Sequence, residues 1–209
     1  MSYVEASVRS RQLVAAARVV LAREGVANTS LRAVAAEGGV SLGTLQYVFA
    51  SKERLLQAVI EDVVDEVAQV FSVSVPLRDG LAHAIRHGLT HFWSQFVANQ
   101  VPLQMMQYEL TKYALRTPGQ EHLARWQYER YASAVATCCQ AAASHADEIC
   151  AVPFARLARV MLASMDGLIL QYLCDPRDDA RAREDLDAII DMLTSYAGIQ
   201  PAGVAGTQA

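Results

Sequence analysis

Residues 29–56 read TSLRAVAAEGGVSLGTLQYVFASKERLL, and the way this stretch folds decides what can be built around it. Val34 and Ala35 stand before a Gly38-Gly39-Val40 break, and Leu45, Val48 and Phe49 stand after it. The spacing predicts a short helix, a tight turn and a second short helix from Leu42 to about Phe49, burying small side chains against each other as a helix-turn-helix. Ala35 offers only a methyl where the two axes approach, and either Gly38 or Gly39 can take the positive φ that ends the first helix. Val40 plugs the turn from below. Ser41 suits the N-cap of the second helix, since its hydroxyl can accept from an amide of the first turn that has no helical partner.

With Leu45, Val48 and Phe49 turned inward, helical periodicity leaves Leu42, Gly43, Thr44, Gln46 and Tyr47 facing outward or flanking the seam. That outward set is short, uncharged and hydrogen-bonding. Gln can pair bidentately with an adenine edge, Thr can bond a base or phosphate and touch a thymine methyl, and a Tyr hydroxyl reaches phosphates. Gly43 lets the backbone come close. Arg32, Lys52 and Arg54 surround the helix with positive charge, and Thr29 and Ser30 precede a helix N-terminus, which favours anions.

The run GVSLGTLQYVFASKERLL resembles the recognition helix and following helix of the TetR family of bacterial transcription regulators, whose usual pattern is Gly-Val-Ser-x-x-Thr-Leu-Tyr-x-His-Phe-x-Ser-Lys-Glu-x-Leu. Gly39, Val40, Ser41, Thr44, Leu45, Phe49, Ser51, Lys52, Glu53 and Leu55 match. Gln46 stands where the first aromatic is commonest, which changes what bases are read, and Val48 replaces the usual His or Tyr. The resemblance implies that Thr44, Tyr47 and Lys52 contact phosphates while Gln46 and Leu42 approach base edges; Thr29, Ser30, Arg32, Ser41 and Gly43 complete the expected DNA-binding set. It also implies a homodimer on a palindromic operator and a small-molecule effector. The rest of the chain resembles the family in length and helical layout, plus Asp166-Gly167-Leu168 and Asp175-Pro176 near the end.

A net charge of −4 looks wrong for a DNA binder, but the charge is unevenly placed. Residues 1–55 hold seven Lys or Arg against four acids, so the head carries +3 and the remainder −7. That asymmetry puts attraction where a duplex would lie. A head of only +3 must lean on dimerisation and hydrogen bonds as well as on counterion release. No segment reads as a secretion signal, and Val160 to Cys174, interrupted by Asp166 and Gln171, is expected to fall short of a membrane span. The bacterial cytoplasm is the expected compartment, where Cys138, Cys139, Cys150 and Cys174 stay reduced and show no metal spacing.

Almost the whole chain reads as helix. Residues 7 to 24 present Leu13, Ala17, Val20 and Leu21 inward and close on Gly25 as a C-cap. From Ser51 to about Phe71 the pairs Leu55–Leu56, Val59–Ile60 and Val63–Val64 recur every four residues, a helix of about 30 Å that serves as the lever between domains. Prolines 76, 102, 118, 153 and 176 divide the rest into helices near 77–98, 103–115, 119–145, 153–174 and 178–196. The expected organisation is all-α: a three-helix head over 1–50, a larger helical ligand-binding and dimerisation domain over 51–197, and a mobile tail over 198–209.

The last two helices argue for a dimer, because the stretch from Val160 to Leu173 has almost no polar face and needs cover on both sides. Met161, Met165, Leu168, Tyr172, Leu186, Ile189, Ile190 and Leu193 are the expected seam of an intersubunit four-helix bundle; a deeply buried central helix in a monomer is the alternative. The middle helices hold the expected effector pocket, apolar walls with sparse polar ends: Phe92, Trp93, Phe96, Met105, Met106, Glu109, Tyr113, Trp126, Arg130 and Tyr131, with Met165 and Asp166 from the following helix. The same residues also suit ordinary core.

His83, His87 and His91 share one helical face. A metal ladder and a plain polar face both fit, and the polar face is the simpler reading because the three lie opposite Ile85, Leu89, Phe92 and Phe96. Cys138 and Cys139 suit packing better than a thiol switch. No catalytic grouping, cofactor or metal site is read in the chain. The expected protein is a ligand-responsive repressor that is not an enzyme; a helical small-molecule enzyme or carrier with an incidental helix-turn-helix is the alternative.

Overall fold

The structure, a computed structural model, describes residues 3–73, 79–98 and 100–202. Among these residues the chain forms nine α-helices, one π-helical turn and one two-residue strand pairing. The helices are α1 (Tyr3–Asn28), α2 (Leu31–Glu37), α3 (Leu42–Val48), α4 (Lys52–Val73), α5 (Gly80–Phe92), α6 (Val101–Arg116), α7 (Glu121–His145), α8 (Phe154–Cys174) and α9 (Asp179–Ala197). Two units result. Met1–Asp65 joins Pro102–Gln127 in the first, and Glu66–Val101 joins Tyr128–Ala209 in the second. The expected boundary at residue 50 therefore lies inside the first unit, because the opening turns of α4 and all but the first residue of α6 belong with the head.

In the first unit α1 packs on α2 and α3, which pack on each other. Helices of seven residues are not stable alone, so packing and caps must hold α2 and α3. Leu13, Ala17, Val20 and Leu21 of α1, Val34 and Ala35 of α2, and Leu45 of α3 are buried as the periodicity requires, and Phe49 closes the seam. Each such large apolar side chain contributes about 1.5–3 kcal/mol on burial. Ser30 caps α2 by accepting from Ala33 N, and Ser41 caps α3 by accepting from Thr44 N at 3.1 Å. Gly39, at φ 64°, supplies the left-handed turn between them; Gly38 stays at φ −78°.

α1 breaks at Gly25, where φ is 76° and ψ 163°, so the final turn to Asn28 has its own axis. Thr29 returns its hydroxyl to the Gly25 carbonyl at 2.7 Å and closes that turn. The salt bridge from Arg18 to Asp62, 2.8 Å, ties α1 to α4. Along α4 the expected pairs Leu55–Leu56, Val59–Ile60 and Val63–Val64 are all buried.

In the second unit α8 packs on α9, and α9 on α5. α5 runs into a π-helical turn, Trp93–Val97, where one extra residue per turn shifts the face that follows. Glu148 accepts from the Leu81 amide at 2.7 Å and so closes the N-terminus of α5. Arg86 of α5 meets Asp187 and Asp191 of α9 at 2.8 and 2.6 Å, exposed pairs that orient more than they stabilise.

Two expectations fail here. Residues 198–202 are not a loose tail: Gly198 takes the left-handed C-cap of α9, and Gln200–Pro201 pairs antiparallel with Glu148–Ile149. The remainder of the expected tail, 203–209, lies outside the described residues. α8 has the expected bounds, but its 21 residues, with a mean hydropathy of 1.3 in the most apolar window, do not fall short of a membrane span by length and composition. Its Leu157, Met161, Met165, Leu168, Ile169 and Tyr172 are nevertheless buried in the protein's own fold, as in the core helix of a globular domain.

Candidate nucleic-acid interface

α3 presents the outward set that its sequence demanded. Tyr47 is 77% exposed, Gln46 and Gly43 are exposed, and Leu42 and Thr44 are half-buried on the flanks. No atom of a neighbouring element lies within 4 Å of a Cβ built on Gly43, only Ser41 Oγ at 3.9 Å, so the backbone there is open to close approach. The Ser41 and Thr44 hydroxyls bond each other at 2.9 Å, which holds the first turn of α3 in shape while leaving both side chains at the surface. Arg32 and Ser30 are exposed beside them. The arrangement offers an amide, a phenol and hydroxyls on a capped helix narrow enough for a major groove.

Two residues of the expected set face the protein. Thr29 is 4% exposed and its hydroxyl is taken by Gly25 O, so it has no hydroxyl to offer a phosphate. Lys52 is half-buried and donates through Nζ to the Val26 carbonyl at 2.8 Å, holding the end of α1. A Lys that opens a helix has several acceptors within its four-carbon reach, and sequence spacing does not choose among them.

The expected effector residues fall in both units. In the first, Met106 is buried, Met105 is 47% exposed, Tyr113 and Trp126 are half-buried, and Glu109 accepts from the Val26 amide at 2.6 Å. In the second, Phe92 and Phe96 stack at 5.6 Å, and Trp93 stands edge-on to Tyr172 at 5.2 Å. Trp93 is 1% exposed, and its indole N–H has no acceptor among the described residues. Asp166 is half-buried on α8; burial pushes its carboxyl up from the ordinary value, against a hydrogen bond from Tyr128 that works to lower it. Tyr128 stands edge-on to the buried Tyr131 at 6.3 Å, Met165 is buried and Arg130 is exposed. Tyr128 was not read as a site residue; its place one turn before Tyr131 was the available signal.

The three histidines stack along α5 with centroids 5.8 and 5.9 Å apart. They line an open groove with Arg86, Thr90 and Asp187, and no group of three or more His, Cys, Asp or Glu is placed to hold a metal among the described residues. Burial pushes the Cys139 thiol up to about 12 and raises Cys138, so neither is a ready thiolate at neutral pH.

Residues 13–59 match the model of the bacterial regulatory proteins of the TetR family, and residues 78–195 match the C-terminal domain model of tetracycline-repressor-like proteins. The chain belongs to the TetR family. It is 30% identical over 195 residues to the HTH-type nicotine-responsive transcriptional repressor HdnoR of Paenarthrobacter nicotinovorans, covering 91% of this chain and 96% of that one. Among solved structures it is similar to a transcriptional regulator from Rhodococcus sp. Rha1 (TM-score 0.75, 21% identity, 92% of this chain and 99% of that chain). It is also similar to the multidrug binding protein EbrR complexed with ethidium (TM-score 0.64, 25% identity, 87% and 98%). As a TetR-family member the protein is a ligand-responsive, DNA-binding transcriptional regulator, and such regulators are generally not enzymes.

Proposed function

We propose that the protein represses transcription in the bacterial cytoplasm as a homodimer, each copy placing α3 in one of two successive major grooves of a palindromic operator, until a small organic effector releases it. The observation that carries the DNA contact is the exposed Gln46–Tyr47 pair on a helix capped by Ser41. Gln46 reads a base edge, Tyr47, Thr44 and Ser30 hold phosphates, and Arg32 supplies charge.

The dimer reading rests on the exposed part of the helix pair that the sequence suggested, α8 and α9. Seven of the eight expected seam residues are buried within the chain's own fold, leaving only Ile189 half-buried. The same two helices carry an open groove of about 460 Å³ that keeps Leu168 and Ile189 of that seam and adds Ala163, Gly167, Gln171, Ala188 and Met192, among others. Small residues let a second helix pair approach closely, and Arg181 with Asp185 in the same groove can pair reciprocally across a two-fold axis.

The relative's response to nicotine and EbrR's ethidium support an aromatic nitrogen compound as effector. Trp93, Phe92, Phe96, Tyr131, Met165 and Asp166, all in the second unit, are the residues that would enclose it. Release requires a state in which the recognition helices no longer match the groove spacing, and reversing occupancy strongly takes a differential affinity of about 5 kcal/mol. Selection of bound duplexes from random DNA should return a palindrome whose half-sites lie roughly 34 Å apart. A lone half-site, or no enrichment, would reject the proposal. Solution scattering that shows the same head separation with and without a releasing ligand would reject the spacing mechanism alone.

A further inference from the structure

Two glutamates of this chain make the same local contact with different reach. Each accepts the amide of the residue that follows a positive-φ glycine: Glu148 takes Leu81 N at 2.7 Å beside Gly80, and Glu109 takes Val26 N at 2.6 Å beside Gly25. In both, the missing Cβ makes room, since one built on Gly80 or Gly25 would lie 2.7 or 2.9 Å from a carboxylate oxygen. Glu148 closes the start of a helix. Glu109 instead reaches from α6 to the break where α1 hands the chain to the helix-turn-helix.

Val26 is gripped on both sides of its backbone. Its N–H goes to the α6 carboxylate and its C=O to the ammonium of Lys52 on α4, both charge-assisted bonds under 3 Å. Its side chain is 7% exposed and the neighbouring turn is closed by Thr29 on Gly25 O, so neither backbone group has easy access to water if a partner leaves. The contact joins the two matched segments of the chain, because Glu109 lies within residues 78–195 and Val26 within residues 13–59. Three residues separate Val26 from Ser30, the cap of α2.

We infer that Glu109 is the positioning residue by which α6 sets the angle of the DNA-binding head, an inference that rests on α3 being the DNA interface. Any shift of α6 that withdraws the carboxylate leaves the Val26 amide without its acceptor and frees the Gly25 hinge. The head, in which α2 and α3 stay packed on α1, then loses this anchor on α6. The role needs an acceptor oxygen at this place more than it needs charge, so Gln should serve and Ala should not.

Coupling is reciprocal: if α6 positions the head, DNA on the head must steady α6. Hydrogen exchange on the full-length protein, with and without the selected operator duplex, reads this without knowledge of the effector. Wild type and Glu109→Gln should both show slower exchange over residues 101–116 on binding DNA. Glu109→Ala and Gly25→Ala should still bind the duplex, about tenfold more weakly, with that response in α6 abolished. An α6 that is indifferent to DNA in the wild type overturns the inference whatever the variants do, as does a DNA response that persists in Glu109→Ala. A wild-type chain that forms no complex with any duplex overturns the DNA-binding reading itself, a result distinguishable from both because no bound state exists to compare.

Discussion

α3 and the α8–α9 pair both read as helices with one face inward and one face for a partner; the outward face of α3 is exposed, whereas most of the seam expected on α8 and α9 is buried within the single chain. On α3 the apolar set is three residues long and the outward set is polar, so burying Leu45 and Phe49 leaves Gln46 and Tyr47 one place to go. α8 is apolar nearly all round. Its Met161, Met165, Leu168 and Tyr172 are consumed by the chain's own core, and the surface left over is made of small and mixed residues such as Ala163, Gly167 and Gln171. An apolar face states that it will be covered; it does not state by whom.

Replacing Gln46 and Tyr47 together by Ala should cost about 4 kcal/mol in operator affinity, roughly a thousandfold in a titration, at an unchanged unfolding midpoint because both side chains are outside the core. Equal affinity for the double variant would reduce α3 to an ordinary surface helix.

Neighbours on α9 sharpen the other half. Leu193 is fully buried and Met192 is 51% exposed. Leu193→Ala should lower unfolding stability by about 3 kcal/mol through transfer and cavity terms. Met192→Ala should leave unfolding within about 0.5 kcal/mol and act only on association. If the two were interchangeable in denaturant titrations, the division between own-chain core and partner surface would be wrong.

Gly167 tests that surface more directly. A Cβ there meets nothing within 4 Å, so Gly167→Glu fits the single chain and should even favour the helix by close to 1 kcal/mol. Against a second copy the same carboxylate would meet its own image. Sedimentation should then show association weakened by about 2 kcal/mol in pairing free energy, with operator binding falling alongside. A dimer as tight as the wild type would move the interface elsewhere.

The sequence made the helices legible because their apolar periods are long and their ends carry Ser, Gly or Pro. Ser41 makes the cap expected of it, Gly39 takes the positive φ that the sequence left open between Gly38 and Gly39, and Gly25 breaks α1 where its end was expected although the helix resumes to Asn28. It made α3's outward residues legible for the reason already given, and lost Thr29 and Lys52 because a hydroxyl or an ammonium takes whichever acceptor the tertiary fold brings nearest. Glu109 and Val26 are 83 residues apart, and no local pattern announces that they meet. The pairing of Gln200–Pro201 with Glu148–Ile149 escaped for the same reason, two residues being too short to leave a period.

Asp166 carries the smallest effect and the most specific sign. Its carboxyl is raised by burial, more than the Tyr128 hydrogen bond lowers it, so the folded state holds this proton more tightly than the unfolded state does. A raised acid costs stability once ionised: that cost is full at neutral pH and disappears as the pH falls through the raised value toward the ordinary 3.8. Asp166→Asn keeps an oxygen for Tyr128 and removes the charge, so it should be the more stable protein at neutral pH, by a margin that closes on acidification. Thermal unfolding across that range checks both sign and slope. A variant less stable than the wild type at neutral pH would mean that the Tyr128 hydrogen bond to a carboxylate outweighs burial, and would turn Asp166 from a strained group into a satisfied part of the core.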